Sequence, residues 1–84
     1  MTYKITLKKK AIKELTKINE PYYSNIKKAI YNLANDPRPS GCKKLKGREA
    51  YRIRIANYRA IYEIKDEILL VDVVYVGHRK DVYK

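Results

Sequence analysis

The sequence predicts an α+β fold in the order β-α-α-β-β-β, a small antiparallel-rich twisted sheet with a helical hairpin packed on one face. Alternating apolar residues open the chain, helical spacing runs through its middle to a Pro/Gly-rich break, and alternation returns from residue 51 to near the end. Tyr3, Ile5 and Leu7 alternate with Lys4 and Thr6, which reads as a short strand with one apolar face. Ala11, Leu15 and Ile18 then share a stripe from which Lys9, Lys10, Lys13 and Lys17 are excluded, so an amphipathic helix should run from Lys8 to near Asn19. Pro21 suits the first turn of a second helix carrying Tyr22, Ile26, Ala29, Ile30 and Leu33. That helix should stop at Asp36-Pro37-Arg38-Pro39-Ser40-Gly41. Tyr51, Ile53 and Ile55, then Tyr58, Ala60, Tyr62 and Ile64, form two alternating runs, and the apolar run from Ile68 to Val76 reads as a central strand entered through Asp66-Glu67.

Eighty-four residues at 45% hydrophobic suffice for one core, so residues 1–84 are read as a single domain. The formal net charge of +11 calls for an anionic partner. No apolar run approaches the 20 or so residues of a membrane span, and Met1 to Leu7 lacks the apolar stretch of a signal peptide, so a cytoplasmic protein with no membrane partner is expected. One cysteine, Cys42, and one histidine supply neither a disulfide framework nor a Cys/His metal site, and no metal or cofactor is implied.

The positive charge is concentrated. Between Arg38 and Arg59 stand eight basic residues, Arg38, Lys43, Lys44, Lys46, Arg48, Arg52, Arg54 and Arg59, against one acid, Glu49. If Ala56-Asn57 makes a two-residue turn, Arg54 lies directly opposite Arg59, with Arg52 two residues up the same face. Like charges across a ladder destabilise a sheet, whereas a bound phosphate would relieve the repulsion. A solvated arginine face that merely covers apolar surface is the bland alternative. The face away from the hairpin is expected to stay at least partly open. Tyr51, Tyr58 and Tyr62 alternate with the arginines and belong to the core.

The last strand leads into Val76-Gly77-His78-Arg79, followed by Val82-Tyr83. With Leu45-Lys46-Gly47, Tyr51-Arg52-Ile53-Arg54 and Tyr58-Arg59-Ala60-Ile61-Tyr62, this motif order resembles the RelE branch of the RelE/ParE toxin superfamily over almost the whole chain. The resemblance implies the toxin of a type II toxin–antitoxin system, an endoribonuclease that enters the ribosomal A site, cleaves mRNA there and is held inactive by a cognate antitoxin. It implies that the active-site basic residues are Arg52, Arg54, Arg59 and Arg79, with Tyr83 as the C-terminal tyrosine. In one family pattern lysines stand at the positions of Arg52, Arg54 and His78, which leaves the general base open.

RNA is cut without metal when its own 2′-OH attacks the adjacent phosphate, given a base for that proton, cations for the developing charge and an acid for the leaving 5′-oxygen. Arginines stay protonated and suit the electrostatic part. His78 is the expected base, with Glu49 its competitor. Tyr83 is expected to stack on a base with some acid character, against the plain reading of a C-terminal anchor. Lys43, Lys44, Lys46 and Arg48 are expected to contact mRNA and rRNA. Two other functions fit parts of this pattern: a ParE-like inhibitor of DNA gyrase acting by protein binding, and a non-catalytic RNA-binding module. An antitoxin segment is expected to be helical and acidic.

Overall fold

The computed structural model describes residues 2–47 and 49–78. Its elements are β1 (Lys4–Leu7), α1 (Lys9–Thr16), α2 (Tyr22–Asn32), β2 (Lys43–Lys44), β3 (Ala50–Ile55), β4 (Tyr58–Lys65) and β5 (Leu70–His78), with a 3-10 turn at Asp66–Ile68 between the last two strands. The sheet order is β1-β5-β4-β3-β2. Only β1 and β5 run parallel; the helical hairpin carries the chain from β1 at one edge to β2 at the other, and every other neighbouring pair is antiparallel. The α+β class and the expected order therefore hold, with the two-residue edge strand β2 as an addition.

The hairpin covers one face, α1 lying over β5 and α2 against β3. Ala11 and Leu15 from α1 and Ile26, Ile30 and Leu33 from α2 pack on Ile53, Ala60, Tyr62, Ile64, Val71, Val73 and Val76. Tyr51 and Tyr58 pack against the same core, as their alternation predicts, and Tyr62 is fully buried. Its hydroxyl donates to the Pro37 carbonyl at 2.8 Å, and burial pushes its phenol up. Glu20 caps the start of α2, where Ser24 donates to its carboxylate from the backbone N–H at 3.0 Å and from Oγ at 2.6 Å. These bonds hold the Glu20 carboxyl below its ordinary value.

Two local features set which side chains share a face. Ala56-Asn57 is a two-residue turn, with Ala56 at φ 54° in the left-handed region, and it brings Arg54 into register with Arg59. In β5 the ladder skips one residue: Ile61 pairs with Tyr75 and Tyr62 with Val73, leaving Val74 as a bulge. Val71 and Val73 face the helices before the bulge, and Val76 does so after it. The bulge thus reverses the parity of everything that follows, Gly77 and His78 included.

Candidate nucleic-acid interface

Arg52, Arg54 and Arg59 stand on the sheet face away from the hairpin. Arg54 is the cross-strand partner of Arg59, and Arg52 sits two residues back along β3, with Lys43 of β2 opposite it. The register is the one expected from alternation and a tight turn. The middle of that face is not open to solvent, however: Arg52 and Arg59 are 7% and 6% exposed, and Ile61 beside them is also buried. Arg54, at the end of the ladder, is exposed. Burial therefore differs across the ladder and not along it: at the turn end Arg54 is exposed while its partner Arg59 is as buried as Arg52. Lys43, Lys44 and Lys46 are exposed along the neighbouring edge.

The two residues considered for proton transfer lie elsewhere. His78 pairs with Tyr58, on the hairpin side of the sheet, and its ring meets the Tyr58 ring edge-on at a centroid distance of 5.5 Å. Tyr22 approaches Tyr58 at 5.7 Å. His78 thus shares the turn end of the sheet with Arg54 and Arg59 but not their face, which at this point belongs to Gly77, the partner of Arg59. Glu49 precedes β3 at the opposite end, exposed, 3.4 Å from Lys44 Nζ, and borders a hollow with Glu63, Asp66 and Glu67. It is five positions from Arg54 along the chain, about 16 Å of extended strand. Arg48, Arg79 and Tyr83 lie outside the described residues.

One member of the basic run is not part of this face at all. Arg38 donates to Asp66 through Nη2 at 2.9 Å and Nη1 at 3.4 Å, and through Nε to the Tyr51 hydroxyl at 3.2 Å, with its guanidinium carbon 5.3 Å from the Tyr51 ring centre. The Tyr3 hydroxyl completes the cluster, donating to Asp66 Oδ1 at 2.6 Å. Arg38 first and Tyr3 second hold the Asp66 carboxyl below its ordinary range, and Asp66 in turn raises the Tyr3 phenol. Nothing in local spacing announces this cluster, because its members are up to 63 positions apart.

The remaining acid at the sheet centre, Asp72, is also engaged: Thr6 Oγ1 donates to it at 3.0 Å and Lys8 Nζ lies 3.2 Å away. Gly77 allows Tyr75 to lie flat along the arginine face, since a Cβ there would fall 2.9 Å from the ring and hydroxyl of Tyr75. Lys10 of α1 reaches this ring, at 5.3 Å from its centre.

No helix among the described residues is long and apolar enough to cross a membrane. Residues 5–83 match the family described as the ParE toxin of type II toxin–antitoxin systems, parDE. The mRNA interferase toxin RelE of Escherichia coli (strain K12) is 30% identical over 83 residues, 95% of this chain and 86% of the relative. The fold superposes on the toxin in the intact E. coli RelBE toxin–antitoxin complex with a TM-score of 0.79 at 29% identity, covering 90% of this chain and 95% of that one. An archaeal RelE in complex with RelB, from Pyrococcus horikoshii OT3, gives a TM-score of 0.85 at 24% identity over 98% of this chain and all of that one. A match over nearly the full length and a shared fold together place the chain in the ParE family of type II toxin–antitoxin toxins, as a RelE-type toxin.

Proposed function

We propose that this chain is a metal-independent endoribonuclease that cuts mRNA in the ribosomal A site. The observation that carries the reading is the register that sets Arg54 directly opposite Arg59 with Arg52 on the same face. Its named relative, the RelE mRNA interferase, supports the same substrate. In the reaction the RNA 2′-oxygen loses its proton and attacks the adjacent phosphorus. The bond to the 5′-oxygen breaks, and a 2′,3′-cyclic phosphate and a 5′-hydroxyl result. Arg54 and Arg59 clamp the non-bridging oxygens as negative charge grows, which fixed cations do best where water is partly excluded. Arg52 extends the clamp inward, and Lys43, Lys44, Lys46 and Arg48 hold the flanking phosphates. Arg79 adds charge at the leaving group, and Tyr83 stacks on a splayed base and gives its phenol proton to the leaving 5′-oxygen.

His78 is assigned as the base, acting across the end of the sheet. It stands at the turn end with the arginines, whereas Glu49 stands with the acids at the other. A cognate antitoxin is the second partner, supported by the toxin–antitoxin complexes among the structural relatives. The hairpin offers it a groove lined by Leu7, Ile12, Leu15, Tyr23, Ile30 and Tyr31, with Lys27 at its rim, suited to an acidic amphipathic helix.

The test is cleavage of a defined mRNA on programmed ribosomes, mapped to the nucleotide, with wild type and Arg54→Ala. The expected result is a cut with a 5′-hydroxyl product end, lost in the variant, and ribosome binding that weakens steeply with salt. Intact mRNA together with salt-insensitive inhibition of gyrase supercoiling would overturn the proposal in favour of a protein target.

A further inference from the structure

The arginine face continues past Arg59 onto β5. The partner of Arg59 there is Gly77, and Ile61, two positions along β4, pairs with Tyr75. Tyr75 lies over the place where a side chain at Gly77 would stand, its ring and hydroxyl 2.9 Å from that position, so the phenol rests beside Arg59 and stays partly exposed. The pairing of β1 with β5 stops at Leu7 and Val73, and no described strand flanks Tyr75 on its outer side. What reaches the ring there is Lys10 of α1, with Nζ 5.3 Å from the ring centre.

Lys10 is not tied into the fold as its neighbour is. Lys8 pairs with Asp72, whereas none of the ion pairs among the described residues engages Lys10, and the first turn of α1 contains no acid. An exposed ammonium over a phenol ring is a weak contact, weaker than a nucleobase stacked on the same ring. A base can therefore displace it, and the freed ammonium turns to a phosphate, its stronger partner. Strand alternation leaves Tyr75 as the one aromatic side chain among the described residues of the strands on this face, next to three arginines suited to phosphate.

From this we infer that Lys10 and Tyr75 form a second RNA subsite beside the arginines, one that takes a nucleotide flanking the scissile phosphate whatever its base. The inference rests on the RNA-cleaving reading above and adds a contact to it. The base of that nucleotide stacks on the Tyr75 ring, and its phosphate lies on Lys10. Every nucleobase has a π-face, so the stack adds affinity and fixes the strand without reading sequence. The RNA then runs across the sheet, from the lysines of the β2 edge over Arg54 and Arg59 to Tyr75 on β5, with neighbouring strands about 5 Å apart.

The experiment is a double-mutant cycle on the isolated protein at low salt. Its probes are short single-stranded RNAs with every 2′-oxygen methylated, so that they cannot be cut, and the same backbone with its bases removed. Tyr75→Leu should weaken binding of the intact strand by about fivefold to a hundredfold, the range of one base–aromatic stack, and leave binding of the base-free strand unchanged. The loss should be similar for strands of A, C, G or U. Tyr75→Phe keeps the ring and should bind as wild type does. Lys10→Gln should lower the salt dependence by about one phosphate contact and keep the preference for the intact strand.

An equal loss on the intact and the base-free strand would overturn the inference, because it would mark Tyr75 as a structural cover for its neighbours. So would a Tyr75→Leu protein that holds intact RNA as tightly as wild type, or a wild type that binds neither strand. The two readings fail separately. A base-dependent loss in a protein that cuts no mRNA would sink the nuclease and spare the subsite; mRNA cleavage by a protein whose Tyr75→Leu variant binds RNA like wild type would do the reverse.

Discussion

The two ends of the sheet treat arginine in opposite ways. At the end holding the β4–β5 connection, Arg38 is matched by a carboxylate, a phenol and an aromatic face, and the cluster ties together the start of β1, the loop after α2, β3 and the 3-10 turn. At the β3–β4 turn, Arg54 is set against Arg59 in the ladder itself. The first arrangement lowers the energy of the folded chain and asks nothing of a ligand. The second places like charges in cross-strand contact, which a fold tolerates at a cost of some tenths of a kcal/mol to about 1 kcal/mol, and an anion would relieve it. On the function proposed above, the same residue type is structural at one end and holds phosphate at the other.

The proposed base is where this comparison is most easily broken, because its two contenders stand at opposite ends. His78→Ala should slow single-turnover cleavage by about 10²–10⁴-fold while leaving ribosome binding in place, and Glu49→Gln should change it little. A large loss in Glu49→Gln with none in His78→Ala would move proton transfer to the Arg38–Asp66 end and dissolve the division. Near-normal cleavage in both would leave charge and positioning as the whole mechanism.

Next in size is the contrast between the arginines themselves. Arg54→Ala should cost about 10²–10³-fold in cleavage, the usual loss when one electrostatic donor to a transition state is removed, without lowering the melting temperature. Arg38→Ala should do the opposite, lowering the melting temperature and moving cleavage by far less. Thermal unfolding and single-turnover kinetics on both variants check the pair. An Arg54→Ala protein that melts well below wild type would mean that this arginine, too, is mainly structural.

A third test sits beside Arg59. Gly77→Ala places a methyl group 2.9 Å from the Tyr75 ring, and the ring must swing off the arginine face. Because the obstacle is the far end of one side chain, the expected destabilisation is about 1 kcal/mol, at the low end of overpacking costs. Denaturant unfolding measures it. A cost above about 3 kcal/mol would show that Tyr75 cannot move and that the face is stiffer than its neighbours imply.

Much of this was legible in the residues before any coordinates. The Arg54–Arg59 register follows from alternation on both sides of a two-residue turn, even though Ala56-Asn57 lacks the glycine such turns favour. The helices, the core tyrosines and the break at residues 36–41 follow from period and proline in the same way. Two lysines carry no alternation, so β2 was invisible, and the Arg38–Asp66 cluster depends on tertiary approach.

The face of His78 was hidden for a sharper reason. Unbroken alternation from Val71 would set it on the same side as Asp72, with the arginines, and the single extra residue at Val74 sends it to the other. A bulge of one residue in a run of valines leaves no mark in hydrophobic periodicity.

The smallest expected effect concerns pH at the Arg38–Asp66 end. Asp66 has a carboxyl held below its ordinary range, chiefly by Arg38 and then by Tyr3. A depressed carboxyl favours folding wherever it is ionised in both states, so its contribution is complete above the unfolded value near 4 and fades as pH falls through the lower folded value. Asp66→Asn keeps the shape of the side chain and removes that charge. The variant should therefore melt slightly below wild type at neutral pH, and the gap should close toward pH 2–3. Since both partners are about half exposed, solvent screens the pair, and added salt should shrink the gap at neutral pH as well. Thermal melts across pH at two salt concentrations provide the measurement. A gap that persists unchanged at pH 2.5 would mean that the contribution of Asp66 comes from hydrogen-bond geometry with Tyr3, and that the contrast between a matched and an opposed arginine is not one of charge.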